Sequence, residues 1–291
     1  MPTLPDNSKV KIVECPRDAM QGILDFIPTS QKVGYINALL KVGFHTLDCG
    51  SFVSPKIIPQ MRDTERVLES IDLSSTSTLL SVIVANNRGA DEAVKHKQVQ
   101  CLGFPFSISE TFQKRNTNKT IIESFNTVKY ILDTCDATNK QMVVYISMGF
   151  GNPYGDDWNS GIVTDWIGRL VDLGVSQFSL SDTVGVSDEK SIESVFKGLK
   201  THYGSLDIGA HFHTTQHAWE AKIKSAYQHG CRKFDGAIRG FGGCPMAKDD
   251  LVGNMPTERL VEFFGNKNLQ LNLKEFQKSV LLADQLFNAY L

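Results

Sequence analysis

The chain alternates short apolar, β-branched runs with longer stretches whose apolar positions recur every three or four residues. Eight of the short runs read as strands: "VKIVEC" (10–15), "FHTLDCGS" (44–51), "TLLSVIV" (78–84), "VQCLGFPF" (99–106), "MVVYISM" (142–148), "SQFSLSD" (176–182), "DIGAHFH" (207–213) and "RKFDGAI" (232–238). Helical segments lie between them. "TIIESFNTVKYILDTC" (120–135) opens with Thr120 and Glu123 at the spacing of a capping box, and "VTDWIGRLVDLG" ends on Gly174, a residue suited to stopping a helix. The tail, "NLKEFQKSVLLADQLFNAYL", predicts one more amphipathic helix. Strand and helix in eightfold alternation, with no disordered linker, predict an α/β fold: a (β/α)8 TIM barrel with an extra C-terminal helical segment, forming one domain over residues 1–291. The competing architecture is an open doubly wound sheet. For a dinucleotide it would carry a GxGxxG turn after its first strand, and "ECPRDAMQG" is not that turn.

A barrel makes a claim about where chemistry belongs, because its active residues gather at the carboxyl ends of the strands. The polar residues obey it. Strand 1 runs into Arg17 and Asp18, strand 2 holds Asp48 near its end, strand 6 ends at Asp182, strand 7 at His211 and His213, and "GFGGCPMAKDDLVGN" follows strand 8. His211 and His213 stand one residue apart on a strand and therefore share a face. Two readings fit them, a buried polar pair or half of a metal site. Asp18 from strand 1 and Asn254 past strand 8 would complete a four-ligand set, although each would serve equally as a helix or turn cap. Oxygen and imidazole donors without thiolate suit Mg2+ or Mn2+, with Zn2+ still open. Arg17 beside such an ion suits stabilisation of a developing anion, and a solvated arginine is the plainer alternative. Cys244 follows Gly240, Gly242 and Gly243 on a loop able to close over substrate, or else is a buried cysteine in a turn. Its thiol, with a free pKa of about 8.5, would need nearby positive charge to act near neutrality.

Composition narrows the partners. With 30 basic and 32 acidic side chains among 291 residues, the chain has no nucleic-acid footprint. No apolar run is long enough to cross a membrane, and neither "MPTLPDNSKVK" nor "FNAYL" is a targeting signal, so a cytoplasmic location is expected. The six cysteines form no CxxC pair, which points to reduced thiols rather than a disulfide scaffold.

Along nearly its whole length the sequence resembles the 3-hydroxy-3-methylglutaryl-CoA lyases of the DRE-TIM metallolyase superfamily. The matching stretches are "VKIVECPRDAMQ", "SFVSPKIIPQM", "SETFQKRN" with "ESF" after it, "FSLSDTVGV", "HFH", and "GFGGCP" followed by "GNMPTE". The resemblance implies a divalent-metal-dependent carbon–carbon lyase that cleaves a 3-hydroxyacyl-CoA to acetyl-CoA and acetoacetate. It places metal ligands at Asp18, His211, His213 and Asn254, and catalytic groups at Arg17 and Cys244, with His211 or Asp48 assisting proton transfer. Substrate contacts are expected from Arg17, Gln21, Asp182 and Thr183. Lys56, Lys114 and Arg115, with Lys119 nearby, are candidates for the CoA phosphates or are simply a solvated basic loop. A homodimer is also implied. The chain departs from the family pattern in lacking the glycine before Pro-Arg-Asp, in Ala19 for glycine, in Asp48 for glutamate, in Thr214 and Thr215 for Asp-Thr, and in a longer Cys244 to Asn254 segment. These departures keep open a Claisen-type synthase or aldolase of the same superfamily, and a barrel that binds metal or acyl-CoA without turnover.

Overall fold

In a computed structural model that describes residues 9–243 and 252–290, all eight predicted runs are strands. They are β1 (Lys11–Glu14), β2 (Thr46–Ser51), β3 (Leu79–Ile83), β4 (Cys101–Ser107), β5 (Gln141–Ser147), β6 (Gln177–Asp182), β7 (Asp207–Thr214) and β8 (Lys233–Gly236). Each pairs in parallel with the next, and β1 pairs with β8 through Lys11↔Lys233 to Glu14↔Gly236, which closes the cylinder. A short β9 (Gly253–Asn254) joins β7 antiparallel, setting Asn254 opposite His213.

The helices in chain order are α1 (Pro16–Gln21), α2 (Thr29–Leu40), α3 (Thr64–Ser70), α4 (Asn87–Ala93), α5 (Glu110–Thr117) and α6 (Ile121–Ala137). After them come α7 (Ser160–Asp172), α8 (Glu189–Tyr203), α9 (Trp219–Gln228), α10 (Thr257–Phe264), α11 (Asn266–Leu269) and α12 (Leu273–Asn288). The Thr120–Glu123 capping box is present at the start of α6. Gly174 follows α7 at φ +107°, the conformation that ends a helix with least strain for a residue lacking Cβ. The helix from the tail, α12, packs on α2, with Phe287 against Tyr35. It also anchors the chain leaving β8, since Phe241 lies 4.4 Å from the Phe287 ring and Arg239 pairs with Asp284 at 2.6 Å.

Inside and outside follow the strand period. Val13 and Cys15 face the barrel interior, so Glu14 between them faces outward. It is wholly buried there. One carboxylate oxygen accepts the Ile238 N–H at 2.9 Å, and the other accepts the Thr257 hydroxyl at 2.5 Å. Glu14 thus holds both stems of the segment between β8 and α10. Burial pushes its pKa up from 4.5 to about 8, with the Thr257 and Ile238 bonds opposing only in part. A carboxyl whose pKa rises on folding lends stability below its unfolded pKa of 4.5, and that stability is lost as pH climbs through about 8. Glu14→Gln keeps an acceptor for Ile238 and never ionises. Urea unfolding across this pH range should show the wild type losing stability relative to the variant as pH rises; parallel curves would contradict a protonated Glu14.

Candidate active site

At the carboxyl end of the barrel, α1 begins immediately after β1, with Pro16 opening its first turn. Arg17 and Asp18 are therefore buried helical residues at the rim, and Asp18 is no N-cap. The guanidinium spans two carboxylates. Nε lies 3.2 and 3.1 Å from the Asp48 oxygens and Nη2 is 2.5 Å from Asp48 Oδ2, while Nη1 donates to Asp18 Oδ1 and Gln21 Oε1, each at 2.8 Å. Gln21 closes the triangle by donating to Asp18 Oδ1 at 2.6 Å. These contacts leave one Nη2 N–H of the guanidinium fork for another acceptor. Asp48 reaches Arg17 from β2 where the pairing with β3 slips between Asp48 and Gly50, a bulge of the kind that re-aims side chains at barrel rims.

Burial works against charge at every one of these groups, and the neighbours decide the outcome. For Arg17 the carboxylates of Asp48 and Asp18 more than offset burial and raise its pKa further. For Asp18 the Arg17 charge, then His211, His213 and the Asn254 amide, overcome burial and hold the carboxyl below its ordinary range. Asp48 is the reverse case. Burial outweighs Arg17 and its pKa is raised.

Across the mouth, β7 presents both histidines to the same space, one ligand atom of each lying within 4.8 Å of the others and of an Asp18 oxygen. His211 Nδ1 is 3.1 Å from Asp235 Oδ2, which leaves Nε2 directed at Asp18 Oδ2, 4.0 Å away. Burial lowers the His211 pKa, but Asp235 and then Asp18 reverse the shift and raise it. His213 donates from Nδ1 to the Thr183 carbonyl at 2.9 Å. Its Nε2 is buried and has no hydrogen-bond partner among the described residues. Burial, then the neighbouring His211, lower its pKa to about 4, so Nε2 keeps a bare lone pair at neutral pH. Asn254 donates to Asp18 Oδ2 at 2.7 Å and to the Phe241 carbonyl at 2.9 Å, freeing its amide oxygen. A buried imidazole nitrogen with no hydrogen-bond partner among the described residues, beside a carboxylate that also meets the Asn254 amide, fits a divalent cation and is costly without one.

A second group, Cys15, His211 and Asp235, also clusters beneath the mouth. Burial and then the charge of Asp235 raise the Cys15 thiol pKa well above its ordinary value, and a protonated thiol is a poor ligand.

The glycine loop explains how Asn254 comes so close. At Gly242, where φ is +91°, a Cβ would sit 2.5 Å from the Asp18 carbonyl oxygen and 2.8 Å from Asn254 Nδ2. Only glycine lets this chain lie against α1. Cys244 falls outside the described residues.

Arg17, Asp18, Gln21, Thr183, His211 and His213 line one cavity of about 370 Å3, together with Ile23, Leu24, Val53, Ile57, Ile58 and Phe112. Asp182 does not join them. Ser179 and Ser181 face inward on β6, so Asp182 turns to the opposite face and binds Ser187 and Lys222. Asp48 also lies off the cavity lining, behind Arg17. Lys56 is exposed, Lys114 pairs with Glu110 at 3.1 Å, Arg115 stacks over Tyr154, and Lys119 donates to Thr127. None of these four lines the cavity, whereas Asn116 and Thr117 beside them do. Asp235 was absent from the sequence-based set. Its signal was an aspartate inside an apolar run, two residues after Lys233 and on the same inward face.

Residues 9–280 match the model of the HMGL-like family. The chain belongs to the HMGL-like family. It is 33% identical over 272 residues to hydroxymethylglutaryl-CoA lyase YngG of Bacillus subtilis, covering 93% of this chain and 90% of that protein. The mitochondrial hydroxymethylglutaryl-CoA lyase of Mus musculus is also 33% identical, over 264 residues, covering 90% of this chain and 79% of the mouse protein. Among solved structures, an HMG-CoA lyase from Acinetobacter baumannii in complex with coenzyme A and 3-methylmalate superposes with a TM-score of 0.89 at 27% identity, covering 97% of this chain and 92% of that one.

Proposed function

We propose that this HMGL-like chain is a hydroxymethylglutaryl-CoA lyase that uses Mg2+ or Mn2+ to cleave 3-hydroxy-3-methylglutaryl-CoA to acetyl-CoA and acetoacetate. The observation that carries this reading is the convergence of Asp18, His211 and His213, with Asn254 hydrogen-bonded to Asp18 and the buried Nε2 of His213 lacking a partner among the described residues. When bound, the cation supplies Lewis acidity that makes the substrate hydroxyl easier to deprotonate. In the reaction the C3 hydroxyl loses its proton, the C2–C3 electron pair moves into the thioester as an enolate, and C2 is then protonated.

The protein groups divide this work by where they sit. Asp18, the Nε2 atoms of both histidines and the Asn254 amide oxygen would hold the cation. The remaining Nη2 N–H of Arg17 meets the thioester oxygen as negative charge develops there. His211 has Nδ1 committed to Asp235, and Nε2 cannot hold a cation and accept a proton together, so His211 is a ligand rather than a base. Asp48 acts through Arg17, holding its guanidinium fork still. That leaves Cys244 as the acid–base group, on the strength of the Gly-Gly-Cys-Pro match. Gln21 and Thr183 line the substrate space, and Asn116 and Thr117 replace Lys114 and Arg115 as contacts from the β4 side. Lys56 is left without a role.

Among the described residues no helix is long and apolar enough to cross a membrane. Cytoplasmic location and a homodimer stay within the proposal, to be read by fractionation and sedimentation. The deciding assay incubates the full chain with 3-hydroxy-3-methylglutaryl-CoA and Mg2+ or Mn2+. Equimolar acetyl-CoA and acetoacetate, abolished by a chelator and restored by the metal, are expected. Condensation of acetyl-CoA with a 2-oxo acid instead would assign the synthase reading, and binding without turnover the non-catalytic one.

A further inference from the structure

An amphipathic helix ordinarily shows its lysines to water, yet Lys222 of α9 is only 2% exposed. Its ammonium donates to Asp182 Oδ2 at 2.6 Å, to the His213 carbonyl at 2.8 Å and to the Gly185 carbonyl at 3.1 Å. All three N–H donors of a lysine are then spent. The same Asp182 Oδ2 also accepts the Ser187 backbone N–H at 3.1 Å and hydroxyl at 2.5 Å. Residues 182–187 therefore wrap the ammonium as a closed turn, fastened further by the Gly185 N–H on the Asp182 carbonyl at 3.1 Å.

That turn contains Thr183, whose carbonyl accepts the Nδ1 proton of His213 and whose hydroxyl accepts the Met148 N–H at 2.9 Å. One cation thus fixes His213 twice, by its own backbone carbonyl and by the turn that orients its ring. We infer that Lys222 is a positioning residue for the cation site: it keeps His213 in the Nδ1–H tautomer with Nε2 aimed at Asp18. A buried ion pair is often replaceable by apolar residues at no loss of stability. Three bonds converging on the supports of one imidazole are the feature that a pair serving stability alone does not need. Lys222 does not line the cavity and acts only through His213.

The inference rests on the cation site proposed above, and its test separates the two. The first measurement is on the wild type without metal. Long-range 15N–1H NMR at neutral pH should show His213 protonated on Nδ1 and bare on Nε2; a proton on Nε2 overturns the inference whatever the variants do. The second is Mn2+ affinity by electron paramagnetic resonance for wild type, Lys222→Met and Lys222→Met/Asp182→Asn, the double variant leaving no buried charge unpaired. Loss of an outer partner of a ligating histidine typically weakens metal binding on the order of 10- to 100-fold, and a shift in that range is expected in both folded variants, with the His213 tautomer becoming mixed. Wild-type Mn2+ affinity together with an unchanged His213 spectrum in the folded double variant would make Lys222 merely structural. Absence of Mn2+ binding by the wild type would instead remove the cation site, and the inference with it.

Discussion

Replacing Arg17 with alanine should lower kcat by roughly 10²-fold or more, the scale set by removing one preorganised donor from a developing oxyanion. The structure adds a second cost. Arg17 separates Asp48 from Asp18, and both carboxylates are buried. Without the guanidinium two acidic groups are left in one low-dielectric space, and breaking such a buried pair typically costs about 3–5 kcal/mol of stability. Asp48, already raised, would take a proton first. Rates must therefore be normalised to folded protein by denaturant titration. Arg17→Lys supplies the control: its single ammonium cannot span Asp48, Asp18 and Gln21 together, so charge alone should restore stability more than rate. A near-wild-type kcat in folded Arg17→Ala would remove Arg17 from enolate stabilisation.

A larger loss is expected from the cation ligands. Asp18→Asn keeps the size of the side chain but removes the only carboxylate of the ligand set, and it turns one of the two oxygens that accept from Arg17, Gln21 and Asn254 into a donor. Lewis-acid assistance is worth several kcal/mol, and each 1.36 kcal/mol is tenfold in rate, so a fall in kcat of roughly 10³-fold is expected at sub-saturating metal. Calorimetric titration should show Mn2+ affinity falling in parallel. Rate loss with unchanged Mn2+ affinity would place Asp18 outside the ligand set.

The scaffold was readable because its signals are local. Each apolar run reports a strand, and alternation within it reports which side chains look inward, which is how the sequence alone gives His211 and His213 a shared face. The same alternation, carried one residue further, would have turned Asp182 away from the mouth, since Ser179 and Ser181 already occupy the inward face of β6. The bulge at Asp48 and Gly50 left no such trace, because a ladder slip depends on two strands at once. Lys222 and Asp235 were invisible for a related reason. A lysine on an amphipathic helix is presumed solvated, and only the tertiary meeting of α9 with the β6 turn buries it. Gly242 was read as a source of loop freedom, whereas its use is the close approach to Asp18 and Asn254.

The most direct test is a crystal of the full chain grown with Mn2+ and measured for anomalous scattering. A single strong peak about 2.0–2.3 Å from Asp18, the Nε2 atoms of His211 and His213 and the Asn254 amide oxygen is the expected result. A peak held by Cys15, His211 and Asp235, or by none of these groups, would contradict it.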